Sequence, residues 1–242
     1  MARLTLEYDG THFHGWAIQP GKRTVEGELS RALATLLRAE VRLAVAGRTD
    51  RGVHALGQVA SYDGPPPSLR SLNAILPADV AVLEAAEAPE GFSARRDAVS
   101  RTYRYRVHTR RGGPSPFERG RALWWPHRVD LDALDACAAA LAGTHDFTAF
   151  TPRNSYHTRF DRIVHAATWE RSGERLEFRI EADAFMRSMN RILVGTMLDV
   201  ASGRRSVESF VALLDGAPRS QAGDTAPAHG LYLASVRYPS PS

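Results

Sequence analysis

The sequence predicts an α+β protein made of two lobes of similar content. Three observations carry this. Strand-like alternation gives way repeatedly to helical spacing, so sheets and helices are interspersed. The first half reads strand, helix, strand, strand, helix, strand, and the second half, from about Ser100, has a similar mixture. The 242 residues, 43% of them hydrophobic, suffice for one large core or two small ones. No residue-level repeat is visible, so the likeness of the halves is one of content.

The first lobe is expected over residues 1–100. Arg3-Leu4-Thr5-Leu6-Glu7-Tyr8 alternates as a half-buried strand. From Thr24 to Arg38, Val25, Leu29, Leu33, Leu36 and Leu37 share one face of a helix, with Thr24 placed to cap it. Strands follow near 41–48 and 57–63, and Asp63-Gly64-Pro65-Pro66-Pro67 breaks the second. Ser68 opens a short helix to Ile75, and Val80 to Ala86 reads as a strand.

The second lobe is expected over residues 101–242. Arg101 to Thr109 alternates, with Arg101, Tyr103, Tyr105 and Val107 on one face and Arg104 and Arg106 on the other. Gly112 to Pro116 is a loop, and Asp130 opens a helix to Leu141. Strands near 161–170 and 175–183 flank Ser172-Gly173. Phe185, Met189, Ile192, Leu193, Thr196, Met197 and Val200 then recur at helical spacing, as a core stripe. Ser206 caps a further short helix, and Leu231 to Tyr238 is the final strand.

Composition narrows the class. No run reaches the roughly 18 apolar residues of a membrane span. The opening residues lack the basic-then-apolar layout of a signal peptide. Cys137 is a lone cysteine in an alanine-rich run, which fits a small core residue better than a nucleophile. A cytoplasmic protein is the consistent expectation. The net charge is +4, and of 31 basic residues only Lys22 is lysine. Arginine forks onto phosphate and stacks on bases, which suits RNA. Compositional bias, with Arg, Ala and Gly all abundant, is the main cause of the arginine excess, so it supports RNA binding only through where the arginines fall.

The chemistry concentrates in Gly47-Arg48-Thr49-Asp50-Arg51-Gly52-Val53-His54, where one carboxylate stands between two guanidinium groups. An Asp in a turn commonly serves only to form it. His12-x-His14 has no third ligand at a standard spacing, so no metal is expected. Gly21-Lys22-Arg23-Thr24 resembles part of a phosphate loop but lacks the upstream Gly and the Ser or Thr directly after Lys. Trp124-Trp125 fits buried packing better than base stacking.

In order along the chain come Glu7-Tyr8-Asp9-Gly10-Thr11-x-Phe13-x-Gly15-Trp16, Thr24-Val25-Glu26-Gly27-x-Leu29, the Asp50 run, Phe92-Ser93-Ala94-Arg95 and Arg101-Thr102-Tyr103-Arg104-Tyr105. Phe147-Thr148-Ala149-Phe150, Phe185-Met186-Arg187-x-Met189-Asn190-Arg191 and Ala222-Gly223-x-Thr225-Ala226-Pro227-Ala228-His229-Gly230-Leu231-Tyr232 complete the set. The ordered set resembles the tRNA pseudouridine synthase A (TruA) family. The resemblance implies two ferredoxin-like lobes with antiparallel sheets and a central RNA-binding cleft. It also implies a cofactor-free isomerase that converts uridine to pseudouridine at positions 38, 39 and 40 of the tRNA anticodon stem-loop, acting as a homodimer.

It further implies roles for residues. Asp50 is the reacting carboxylate, as nucleophile or as base. Arg48 either pairs with it or fills the gap left by a flipped nucleotide. Tyr103 faces the base, by stacking or by relaying a proton. Arg191 matches an arginine that bonds the carboxylate, although a helix-surface charge also fits it, and Leu231 walls the pocket, although sealing the core explains it equally well. Arg95 and Arg101, with Arg96, Arg104 and Arg106, are expected phosphate contacts, although Arg104 and Arg106 also fit a solvated strand face. The chain departs from the family pattern at Ala17, Glu26, Ser93, Arg96, Ser188 and Asn190, which bears on RNA fit more than on reaction type. A catalytically silent RNA-binding protein of the same fold is the alternative. A carboxylate glycosidase needs a second carboxylate, and no partner for Asp50 stands out.

Overall fold

In the computed structural model, residues 1–155 and 157–239 are described. The chain forms two compact units, one of Met1–Arg101 together with the chain from Tyr232 onward, the other of Thr102–Leu231.

The first unit is built around strand β1 (Ala2–Tyr8), whose Ala2, Leu4, Leu6 and Tyr8 are buried as the alternation requires. Helix α1 (Val25–Leu37) starts where Thr24 Oγ1 accepts the Gly27 N–H, and stops at Arg38, which turns left-handed at φ 53°. Strands β2 (Ala44–Val45) and β3 (His54–Tyr62) bracket the loop that carries Asp50. Ser68 caps α2 (Leu69–Ile75), and β4 (Val80–Glu87) follows. β1 lies between β3 and β4, antiparallel to both, and β2 pairs antiparallel with the far end of β3. Val25, Leu29 and Leu33 of α1, Leu72 of α2 and Leu4, Leu6 and Val82 of the sheet are buried, so the helices cover an apolar face.

The second unit begins on β5 (Ser100–His108), which β6 (Leu123–Trp124) joins in parallel. Helix α3 (Leu131–Ala140) is capped by Asp130, whose Oδ1 accepts the Ala133 N–H at 3.1 Å. Strands β7 (Gly143–Asp146), β8 (Asp161–Ser172) and β9 (Arg175–Ala182) are joined in the order β5-β9-β8-β7, with both the β7–β8 and β8–β9 pairs antiparallel. Helices α4 (Met189–Ala201) and α5 (Val207–Val211) pack with α3. Cys137 lies in this core, and burial pushes its thiol up to about 11. Strand β10 (Leu231–Arg237) follows, and from Tyr232 it belongs to the first unit.

Four expectations change. The strand expected near 41–48 is only Ala44–Val45. Beyond it Ala46 N–H still donates to Val59, but the Ala46 carbonyl is taken by the Arg101 guanidinium. The helix expected from Phe185 starts at Met189, because Ser188 is left-handed at φ 59° and interrupts the helical backbone. The last strand, assigned by sequence order to the second lobe, runs parallel to β3 with Tyr232 opposite His54. Its alternating residues carry no mark of the unit they join, so chain order alone misplaced it. Trp124 is exposed rather than buried, and its Nε1 donates to the Arg110 carbonyl at 2.8 Å.

Candidate active site

The Asp50 loop is held at both ends by bonds that begin in the sequence's own polar residues. Gln58 sits on β3 with no exposure. Its Nε2 donates to the Gly47 carbonyl at 2.7 Å and to the Tyr8 hydroxyl at 3.3 Å. Its Oε1 accepts the Val59 N–H, which fixes which way the amide points. The Tyr8 hydroxyl shares a 2.7 Å hydrogen bond with Thr49 Oγ1, and the Thr49 carbonyl accepts the Trp16 N–H at 3.0 Å. Burial pushes the Tyr8 phenol up to about 12, so it stays a neutral hydroxyl in the physiological range.

The loop closes with a turn in which Val53 N–H donates to the Asp50 carbonyl and Gly52 takes φ 77°, a position that favours glycine. Two further glycines let the opening segment lie against it. A methyl at Gly10 would collide with the Val53 carbonyl, and one at Gly15 would lie 2.7 Å from the Thr49 carbonyl. Gly10 N–H donates to Nδ1 of the buried His54, whose ring stacks on Tyr232 with centroids 4.6 Å apart. The result is a partly buried Asp50 flanked by exposed Arg48 and Arg51 on a tethered backbone.

Arg101 and Arg95 belong to the same unit. The Arg101 guanidinium donates to the carbonyls of Ala46, Ala98 and Arg95, at 2.9 to 3.1 Å. Its place is therefore at the foot of the Asp50 loop, a task the expectation of a phosphate contact did not include. Arg95 and Arg96 are exposed.

The second unit holds the other expected residues. Tyr103, on β5, is 8% exposed and meets Phe185 edge-on, with ring centroids 5.0 Å apart. Tyr105, two residues on, is fully buried and donates to the Pro227 carbonyl at 2.8 Å, which is a core role. Arg191, in the first turn of α4, donates through Nε to the Ala226 carbonyl at 2.7 Å, while Ala226 N–H donates back to the Arg191 carbonyl. Leu231 is buried at the start of β10. Arg104 and Arg106 both lie within ion-pair distance of Glu177, at 3.4 and 3.2 Å.

Sequence reasoning missed Tyr8, Gln58 and the hydroxyl of Thr49 as parts of the site. The available signal was Gln58 itself, an amide within a strand otherwise rich in small and apolar residues. A buried amide requires hydrogen-bond partners. Among the described residues no cluster of three His, Cys, Asp or Glu could hold a metal ion.

Comparison with known proteins matches the sequence along nearly its whole length. The family model described as tRNA pseudouridine synthase matches residues 5–94 and 137–239. The tRNA pseudouridine synthase A of Bacillus pumilus (strain SAFR-032) is 42% identical over 243 residues, covering 98% of each chain. The protein of the same name in Frankia casuarinae is 44% identical, covering 98% of this chain and 89% of its own. That of Bacillus subtilis (strain 168) is 41% identical, with 98% of each chain covered. On this evidence the chain belongs to the tRNA pseudouridine synthase family.

Proposed function

We propose that this protein isomerises uridine to pseudouridine in tRNA, at positions 38, 39 and 40 of the anticodon stem-loop. The reaction breaks the bond from C1′ to N1 of uracil and forms one from C1′ to C5. The C5 proton leaves and N1 gains one, so nothing is oxidised and no group is lost. Such a reaction needs a carboxylate at C1′, a hold on the extruded base and an acceptor for the C5 proton.

Asp50 supplies the carboxylate, as nucleophile or as base. The observation that carries this reading is the tethering of its loop at Gly47 and Thr49, which presents one carboxylate between the cations Arg48 and Arg51. Fixing a reacting group before substrate arrives removes the entropy of orienting it. Arg48 is exposed, as a residue that enters the space of a flipped nucleotide must be. Tyr103 takes the base and Arg191 the carboxylate, with Leu231 as an apolar wall. Arg95 meets phosphate, and Arg101 adds a phosphate contact to its hold on Ala46. The protein works without cofactor or metal, in the cytoplasm, as a homodimer. No helix of the described residues is long and apolar enough to cross a membrane.

The test is incubation with an unmodified tRNA transcript followed by mapping of pseudouridine. Product confined to positions 38–40 supports the reading. Tight tRNA binding without product identifies a silent RNA-binding protein instead.

A further inference from the structure

We propose that Tyr8 and Gln58 are positioning residues for the isomerisation, setting the aim of Asp50 through the hydroxyl of Thr49 and the carbonyl of Gly47. The proposal rests on the reading of Asp50 as the reacting carboxylate.

Thr49 immediately precedes Asp50, and Gly47 immediately precedes Arg48. Each of these two anchors is held by a buried side chain from a strand of the same sheet, Thr49 by Tyr8 of β1 and Gly47 by Gln58 of β3. The two holders also touch each other, since the second N–H of Gln58 donates to the Tyr8 oxygen at 3.3 Å. The loop therefore hangs from one connected network anchored in two paired strands, β1 and β3. Tyr8, Thr49 and Gln58 are 4, 7 and 0% exposed, so water cannot replace a lost partner without rearrangement.

An ordinary core tyrosine does not need this arrangement. Tyr8 packs its ring near Trp16, at 6.2 Å between centroids, and phenylalanine would keep that contact. What phenylalanine loses is the hydroxyl, and with it the bond to Thr49 and the one accepted from Gln58 Nε2. A misplacement of about 1 Å at a reacting group costs on the order of 100-fold in rate. Loss of the tether should therefore appear in the chemical step and not in tRNA affinity, because none of the three side chains reaches the surface.

The experiment compares Tyr8→Phe, Thr49→Val, Thr49→Ser and the double variant Tyr8→Phe with Thr49→Val, using Asp50→Asn as reference. Single-turnover pseudouridine formation and tRNA affinity are measured for each on the full-length protein. The expected result is a 10- to 100-fold slower step for Tyr8→Phe and for Thr49→Val, at an affinity within threefold of the parent. Thr49→Ser restores the hydroxyl and recovers the rate, and the double variant is no slower than either single one. Rates within threefold of the parent for Tyr8→Phe and Thr49→Val, or losses that simply multiply in the double variant, overturn the proposal. If Tyr8→Phe does not fold, the Thr49 pair decides alone, with equal rates for Val and Ser overturning it. An active Asp50→Asn protein would instead remove the underlying reading, so the two failures are distinguishable.

Discussion

Arg191 and Ala226 are joined twice, side chain to carbonyl at 2.7 Å and amide to carbonyl at 3.0 Å. This pair of hydrogen bonds fixes the direction of the guanidinium from the first turn of α4 and fastens the segment around Ala226 to the helix. Replacing Arg191 with lysine keeps the charge and loses the Nε donor. Arg191→Lys is expected to lower turnover at least tenfold and to cost about 1 kcal/mol of stability, the ordinary worth of one hydrogen bond. Steady-state kinetics and a urea melt check the two effects separately. Unchanged turnover would leave Arg191 a purely structural link.

Tyr103→Phe separates two tasks of one side chain. If the ring only stacks on the base, phenylalanine preserves it and activity is nearly normal. If the hydroxyl relays the C5 proton, binding survives and single-turnover product formation collapses. We expect collapse, because a placed proton-transfer group is typically worth about 10²–10⁴ in rate. Phe185, edge-on to the ring, keeps the aromatic plane in place in either case. A single-turnover rate equal to the parent's would reduce Tyr103 to a stacking platform.

Most of the elements that position the site can be read in the sequence, and the misses have physical causes. The caps Thr24, Ser68, Asp130 and Ser206 mark helix starts because each carries a short side-chain oxygen that accepts a backbone N–H three residues on. The start of α4 is misplaced by periodicity, since the apolar stripe runs back through Phe185 while the backbone turns left-handed at Ser188. Phe185 is apolar because it meets Tyr103, not because it is helical. The Asp50 loop is legible as a motif, but its tethers are not. Tyr8 reads as an inward strand residue and Gln58 as a strand polar, and neither spacing nor period says that they touch. Arg101 shows the same limit. Its position beside Tyr103 suggests phosphate, and nothing in spacing or period says that its guanidinium also holds backbone carbonyls at the foot of the loop.

Affinity for tRNA should fall steeply with salt. Each phosphate neutralised by arginine releases condensed counterions, giving a slope of about −0.7 to −0.9 in log affinity against log salt concentration. Arg95→Ala should weaken binding and reduce that slope by about one phosphate, because Arg95 is exposed. Arg104→Ala should change the slope less, because Arg104 pairs with Glu177. Filter binding over a salt series measures both, and an affinity indifferent to salt would count against a basic RNA surface.

Cys137 should be inert in the folded protein. Burial raises its thiol to about 11, from about 9 for an exposed cysteine, so little thiolate forms at neutral pH. The unfolded chain releases this proton near pH 9 and the native one near pH 11, so the contribution is intact below 9 and is lost as pH rises through 11. Alkylation under native conditions should therefore track unfolding, and rapid labelling of the folded protein would contradict the buried placement.

The reacting carboxylate is tested by Asp50→Asn, which preserves shape and removes only the charge and the reacting oxygen. Single-turnover assays on an unmodified tRNA transcript, with affinity measured in parallel, should show no pseudouridine and binding within a few-fold of the parent. Substantial product from a clean preparation of the Asp50→Asn protein would contradict the assignment of Asp50 and, with it, the reading of its tethered loop.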